Sequence, residues 1–317
     1  MGDTTNKKLI DISVILPVFN GGSYLIKSVE SVLSQADANF EFLILDDCST
    51  DGSREYLKNI KNDYTFIYYN DVNKGLFFNL NYLIQKSKGK LIKLWAQDDI
   101  MYQYCLHEFI SFHDQNIDIG FSYSDRDIID ENGIVKIETR MDDTPKIISS
   151  ELHAKIAFFT GSIAGNIANV CISKDALLAV GRFREDMKIS ADFDMWVRLA
   201  KDYKTGFIKQ KLIKLRDHKN QLSRNEAFYI CHVREDREVY NYLFSYVNPV
   251  LKKEGKKMLR QQKLVFYYTL MLKALLKARI SIAFQFYKEL IKFDNFFILS
   301  YYFFKTKFFK IRKPSFD

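Results

Sequence analysis

Over the first hundred residues the apolar positions switch repeatedly between two periods. Ile12–Leu16 is a short apolar run closed by Pro17, the signature of a buried strand. From Ser23 to Gln35 the apolar residues fall at Tyr24, Leu25, Val29, Val32 and Leu33, a helical stripe opening at a serine. Phe40–Leu45 predicts a second strand, and the segment from Ser49 to Ile60 a second helix. Phe66–Tyr69, Leu76–Lys86 and Lys90–Trp95 continue as strand, helix and strand. Such alternation at short spacing predicts an α/β fold with a mostly parallel, doubly wound sheet. Beyond residue 100 the pattern is mixed: Ile119–Asp125 and Ile167–Ser173 read as strands, Ala191–Lys201 as a helix. From Asn225 onward the spacing is helical.

Ligands of such sheets bind just past the carboxyl ends of the strands. The polar clusters Asn20, Asp46-Asp47, Asn73-Lys74 and Asp98-Asp99 all fall there. Two adjacent carboxylates after a buried strand repel each other unless a positive group lies between them and solvent. A hard divalent cation, Mg²⁺ or Mn²⁺, completing its shell with phosphate oxygens and water is the natural partner. The alternative for a single Asp-Asp is a solvated turn; two such pairs on one rim favour function. Neither G-x-G-x-x-G nor G-x-x-x-x-G-K-[ST] is present, which speaks against dinucleotide binding and P-loop hydrolysis.

The runs SVILPVFNGGSYLIKSVESVLSQ, FEFLILDDCSTDGS, NKGLFFNLN, WAQDD, GRF and ADFDMWVRLA, in that order, resemble family 2 glycosyltransferases over about residues 12–223. The resemblance implies a GT-A fold, Rossmann-like with flanking helices, and inverting transfer from a nucleotide-diphosphate sugar. It also implies roles. Pro17, Phe19 and Asn20 would line the base pocket, with Phe19 stacking on the nucleobase. Asp47 would bind base or ribose with Asp46 in support, and Asn73, Lys74, Gly75 and Asn81 would lie along the nucleotide. Gln97-Asp98-Asp99 stands where the family has D-x-D, so the metal would rest mainly on Asp99, with Asp98 toward ribose and phosphate. The string LRDHKNQLS adds Arg216, His218 and Ser223 as candidates for the metal or diphosphate site. Leu80 departs from a frequent arginine, Gln97 from the first acid, and Ala191 from a glutamate.

An inverting transfer needs a carboxylate to take the acceptor hydroxyl's proton. Asp192 matches the family's E-D position; Asp194, about 200° away on a helix, cannot share the task. Either could instead cap the helix. Trp196 could floor the acceptor site or sit in the core. His107, His113, His153 and His232 have no chemical context and read as structural.

With 47% apolar and 27% charged residues the chain is globular in type. Its net charge of +8 is lopsided: residues 251–317 hold 16 Lys/Arg against 4 Asp/Glu, so the tail carries +12 and the body −4. Residues 1–223 are therefore expected to form the GT-A domain, 1–100 as nucleotide-binding half and 101–223 as acceptor half. Residues 224–317 are expected to form a basic, aromatic helical tail. Strings such as YYFFKTKFFKIRK suit a helix lying on an anionic leaflet. A single-stranded nucleic acid and a helical bundle packed on protein are the competing readings, and the long apolar stretches favour lipid over nucleic acid. Cys48, Cys105, Cys171 and Cys231 form no C-x-x-C pair, so free thiols are expected. The first apolar run is too short for a secretory leader, and no stretch reaches the roughly 18 apolar residues of a spanning helix. A cytoplasmic enzyme at the inner face of the membrane, moving a UDP-linked sugar to a lipid-linked glycan acceptor in capsule or O-antigen assembly, is expected. A non-catalytic binding subunit and a nucleotidyltransferase remain open, the latter without a triphosphate loop.

Overall fold

A computed structural model describes residues 9–137, 144–219 and 226–308. The chain forms two compact units that interleave in sequence. The first takes the described residues up to 137 together with 164–183 and 203–218; the second takes 144–163, 184–202 and those after 218. Segments inside the expected GT-A domain thus belong to the same unit as the C-terminal helices.

The first unit is built on strands β1 (Ile12–Val18), β2 (Phe40–Asp46), β3 (Thr65–Tyr69), β4 (Leu91–Leu94), β5 (Ile100–Met101), β6 (Ile119–Ile129) and β7 (Val135–Ile137). Chain order then passes through β8 (Ile147–Ile148), in the second unit, to β9 (Val170–Ser173) and β10 (Lys204–Arg216). The sheet runs β3-β2-β1-β4-β9-β6-β10-β5, with β7 beside β6. β3-β2-β1-β4 are parallel, as are β6 and β10; β9 is antiparallel to both β4 and β6. Helices α1 (Gly22–Leu33), α2 (Ser53–Lys58), α3 (Leu76–Lys86), α4 (Cys105–Gln115) and α6 (Lys174–Val180) flank it.

β1, β2 and β4 are buried along almost their whole length, as strands covered on both faces must be. Lys93 is the exception to apolar patterning in β4. Its ammonium, fully buried, donates to the carbonyls of Leu94 and Ala168, and burial lowers its pKa. Between about 101 and 220 the spacing places β6 and β9 but not α4 or α6, and β10 was missed because lysines interrupt its alternation.

The second unit contains α5 (Ser150–Thr160), α7 (Ala191–Asp202), α8 (Tyr229–Tyr246), α9 (Pro249–Leu259), α10 (Val265–Leu276), α11 (Ile280–Leu290) and α12 (Phe296–Phe308), with a π-turn at Arg260–Leu264. α7 packs on α5 and α8. Phe158 of α5 stacks on Phe244 and Tyr240 of α8, and a Cβ at Gly255 of α9 would meet the Phe158 ring at 2.5 Å. Only glycine permits that approach. No described helix is long and apolar enough to cross a membrane, and all four cysteines are free thiols.

Candidate active site

The chain leaves β1 for β2 and β3 on one side and returns to β4 on the other, so a crevice opens past the ends of β1 and β4. Pro17 and Val18 end β1 beside Leu45 and Asp46. Phe19 follows, 47% exposed, and Asn20 turns the chain with φ of 49°. Asn20 is tied down by its own N–H to Ser49 Oγ (2.9 Å) and by Oδ1 accepting the Thr50 N–H (2.8 Å). Gln97, in the place of an expected acid, bridges the crevice. Its Oε1 accepts the Phe19 N–H at 2.9 Å and its Nε2 donates to the Phe19 carbonyl at 3.0 Å. A carboxylate accepts but cannot donate, so only an amide makes both bonds. Gln97 is a clip on the Phe19 backbone, which carries the exposed ring.

The pair at the end of β2 is turned inward. Asp46 is fully buried and accepts from Arg54 Nε at 2.7 Å. Asp47, 2% exposed, accepts from Asn70 Nδ2 (2.8 Å) and the Lys74 N–H (2.8 Å) on one oxygen and the Gly75 N–H (2.9 Å) on the other. Its role among the described residues is to fold the Asn73–Gly75 loop, where Gly75 has φ of 86°. Asn73 and Lys74 are exposed, the Lys74 ammonium lying 4.6 Å from the Phe78 ring centroid. Asn81, expected along the nucleotide, is buried, and its amide pairs with both backbone groups of Phe183 (2.9 and 3.0 Å). Leu80 is fully buried, which explains why an apolar residue stands there.

At the end of β4 the two acids separate. Asp98 Oδ2 lies 2.8 Å from His218 Nε2, and the imidazole packs 5.4 Å from the Tyr24 ring. Asp99 is 2% exposed: Oδ1 accepts the Arg216 N–H at 2.8 Å, whereas the buried Oδ2 has no hydrogen-bond partner among the described residues. Burial, then the Asp98 charge, raises the Asp99 pKa well above the usual carboxylate value. The Arg216 side chain is engaged with backbone carbonyls. It donates Nε to the Asp98 carbonyl (2.9 Å) and Nη1 to the carbonyls of Asp130 and Glu131 (2.8 and 3.0 Å), under the Tyr24 ring. Ser223 lies outside the described residues.

A carboxylate and an imidazole are both good ligands for Mn²⁺, and the former for Mg²⁺. A cation would relieve the orphaned Asp99 Oδ2. No three Asp, Glu, His or Cys side chains among the described residues converge tightly enough to hold an ion unaided. An ion here would complete its shell with phosphate oxygens and water, which is how Mg²⁺ is held in nucleotide sites.

Asp192 and Asp194 open α7 in the second unit. Asp194 is 6% exposed and bound to Arg198 Nε at 2.8 Å, one helical turn on. Asp192 Oδ1 accepts the neighbouring Phe193 N–H at 2.7 Å. Burial, reinforced by the Asp236 charge, pushes its pKa up to about 6. A carboxyl that titrates near neutrality and is not locked in an ion pair suits a general base. Trp196 is fully buried and belongs to the core. Two contributors escaped the sequence reading. Tyr24 looked like part of an apolar stripe, and His232, near Ser190 and Asp236, stood in no motif.

The description "Glycosyl transferase family 2" matches residues 13–171, half of the chain. An uncharacterized glycosyltransferase of Methanocaldococcus jannaschii is 30% identical over 220 residues, 67% of this chain and 73% of that one. One of Rickettsia bellii is 29% identical over 65% of this chain but only 28% of its own length, so the chain spans under a third of that relative. TuaG of Bacillus subtilis, named for teichuronic acid biosynthesis, is 32% identical over 28% of this chain and 36% of its own. Among solved structures, S. aureus TarS with UDP-GlcNAc superposes with a TM-score of 0.70 at 16% identity, covering 90% of this chain and 80% of TarS. A Pyrobaculum calidifontis mannosyltransferase with GDP-Man and Mn²⁺ gives 0.56 at 12% identity, over 93% and 87%. The likeness to these structures shows the fold, α/β of GT-A type with a helical C-terminal region. The match over half the sequence shows the lineage: the chain belongs to glycosyl transferase family 2.

Proposed function

We propose that this protein moves a sugar, with inversion, from a nucleotide-diphosphate donor, UDP-linked, to a hydroxyl of a glycan acceptor in surface polysaccharide assembly. The observation that carries the reading is the Asp98–His218 pair, 2.8 Å apart past the end of β4, with the orphaned Asp99 Oδ2 behind it. Phe19, exposed and clipped by Gln97, offers a face on which the uracil stacks. Asp98, Asp99 and His218 would hold Mn²⁺ or Mg²⁺, which supplies positive charge against the diphosphate as it leaves. Asn20 and the Asn73–Gly75 loop border the ribose and phosphates. Asp192, ionised above about pH 6, takes the acceptor hydroxyl's proton as its oxygen attacks the anomeric carbon. The names of TuaG and the ligand of TarS support the polysaccharide and UDP-sugar classes.

The acceptor in this reading is lipid-linked, and the C-terminal helices hold the enzyme on the anionic inner face of the membrane. Phe266, Ile280, Phe284, Phe297, Phe304 and Phe308 are exposed on them among basic residues, an apolar and cationic surface that suits headgroups. Calorimetry with UDP, with and without Mn²⁺, tests the site, and incubation with labelled UDP-sugars and a crude lipid fraction tests the transfer. Lipid-borne label is expected. UDP affinity that Mn²⁺ leaves unchanged, or released pyrophosphate in place of label, would overturn the assignment.

A further inference from the structure

The family match ends at residue 171, yet the surroundings of Asp192 are built by residues far beyond it. Glu235 of α8 receives three successive backbone N–H groups: Lys188 at 2.8 Å, Ile189 at 3.0 Å and Ser190 at 2.8 Å. Ser190 is the residue before α7, and the Asp194 N–H bonds back to its carbonyl. The Ser190 hydroxyl donates to Asp236 Oδ1 at 2.7 Å, and Asp236 Oδ2 accepts from Tyr267 OH (2.5 Å) and Lys263 Nζ (2.9 Å). Both acids are buried, at 7% and 2% exposure. Two adjacent buried carboxylates persist only if each is matched. Glu235 is matched by the positive opening of α7, Asp236 by an ammonium delivered from the π-turn Arg260–Leu264.

We infer that Glu235 and Asp236, backed by Lys263 and Tyr267, are positioning residues that fix the first turn of α7 and so aim the Asp192 carboxylate; the inference rests on Asp192 being the base. The other titratable groups around α7 are His232 and Tyr240 on α8, with His232 Nδ1 4.0 Å from Asp236 Oδ1, and Glu151, His153 and Lys155 on α5. Burial holds His153 neutral, with a pKa of about 4. Asp236 raises and His232 lowers the Asp192 pKa, and Lys263, paired with Asp236 at 2.9 Å, offsets the Asp236 charge.

The test follows the Asp192 carboxyl by ¹³C NMR in the full chain, assigned by its loss in Asp192→Asn, alongside UDP release from UDP-GlcNAc across pH. Asp236→Asn should lower the Asp192 midpoint by about 0.5–1 pH unit, and Lys263→Gln should raise it by a similar amount. A helix that had merely loosened would move both the same way. Glu235→Gln turns one of the two acceptor oxygens into a donor and leaves a single oxygen for three N–H groups. It should cut kcat for UDP release about tenfold with the UDP-GlcNAc KM held. Unmoved midpoints in folded variants overturn the proposal; should Asp236→Asn not fold, Lys263→Gln decides. Midpoints that move while the pH profile of UDP release stays fixed uphold the positioning network and reject only the role of Asp192.

Discussion

Replacing Asp192 by Asn exchanges a titratable carboxyl for a neutral amide of the same shape. The Phe193 N–H keeps an oxygen acceptor, so the packing of α7 is preserved. What changes is the charge. The Asp192 pKa stands at about 6 against an ordinary 3.8, because burial and then Asp236 disfavour the ionised form, with His232 and the Phe193 N–H opposing. A group whose folded pKa is raised is least costly below its unfolded value, where both states hold the proton. Stability then falls as pH rises through 4 to 6, while the unfolded chain ionises first, and levels off above 6. At about 1.4 kcal/mol per unit, the ceiling on the cost at neutral pH is about 3 kcal/mol. Because Asp192 is half-buried rather than sealed, about 1–3 kcal/mol is the working range.

The Asn variant should therefore be more stable at neutral pH, and its advantage should grow by about 1–2 kcal/mol between pH 4.5 and 7.5. Urea midpoints at those two pH values read this directly. In the same protein UDP affinity should be unchanged and sugar transfer should fall by about 10²–10⁴-fold. A stabilised variant that has lost transfer is the mark of a functional acid held at an energetic cost. A variant with wild-type turnover, or one whose stability advantage does not depend on pH, refutes the reasoning.

For the native enzyme, the acid limb of the transfer rate should have its midpoint near pH 6, and a flat rate between pH 5 and 7 would reject Asp192 as the titrating group. His218→Ala should weaken Mn²⁺-dependent UDP binding by about tenfold or more, read by calorimetry, with little effect in the absence of metal. Gln97→Glu keeps the acceptor for the Phe19 N–H but loses the donor to its carbonyl. UDP affinity should drop about five- to thirtyfold without metal as well as with it, since about 1–2 kcal/mol of hydrogen bonding at Phe19 is lost. The full chain should sediment with phosphatidylserine vesicles at low salt and be released as ionic strength rises, with phosphatidylcholine vesicles as the negative control. Equal binding to both lipids would remove the electrostatic part of that reading.

The alternation of periods in the first hundred residues was enough to place β1 to β4 and α1 to α3 within a few residues, because strands buried on both faces and amphipathic helices leave unmixed patterns. β10 was illegible because Lys209, Lys211 and Lys214 break up its apolar positions at a half-exposed stretch. Position on the sheet rim was legible for the acids; direction was not. Asp47 and Asn81 carry the right residue types for a nucleotide site, but one folds the loop before α3 and the other ties α3 to Phe183. Sequence spacing reports which strand end a side chain leaves, and the backbone groups it meets there are set by tertiary packing.

The residues expected to carry the chemistry, Phe19, Asp98, Asp99 and Asp192, are held by residues whose supporting role the spacing does not announce. Gln97 holds Phe19, Arg216 holds the backbone around Asp98 and Asp99, and Glu235 holds the opening of α7. Arg216 stands more than a hundred residues beyond the acids it fixes, and Glu235 more than forty beyond the N–H groups it caps at the start of α7. The helices after residue 225 therefore do more than supply a basic apolar surface. Lys263 and Tyr267 reach the acid beside the α7 cap, so removing the chain from about 251 would leave Asp236 buried without its ammonium. Such a truncation should disturb the base as well as the membrane contact, and a pH profile shifted to higher pH in the truncated protein is the sign that separates the two effects.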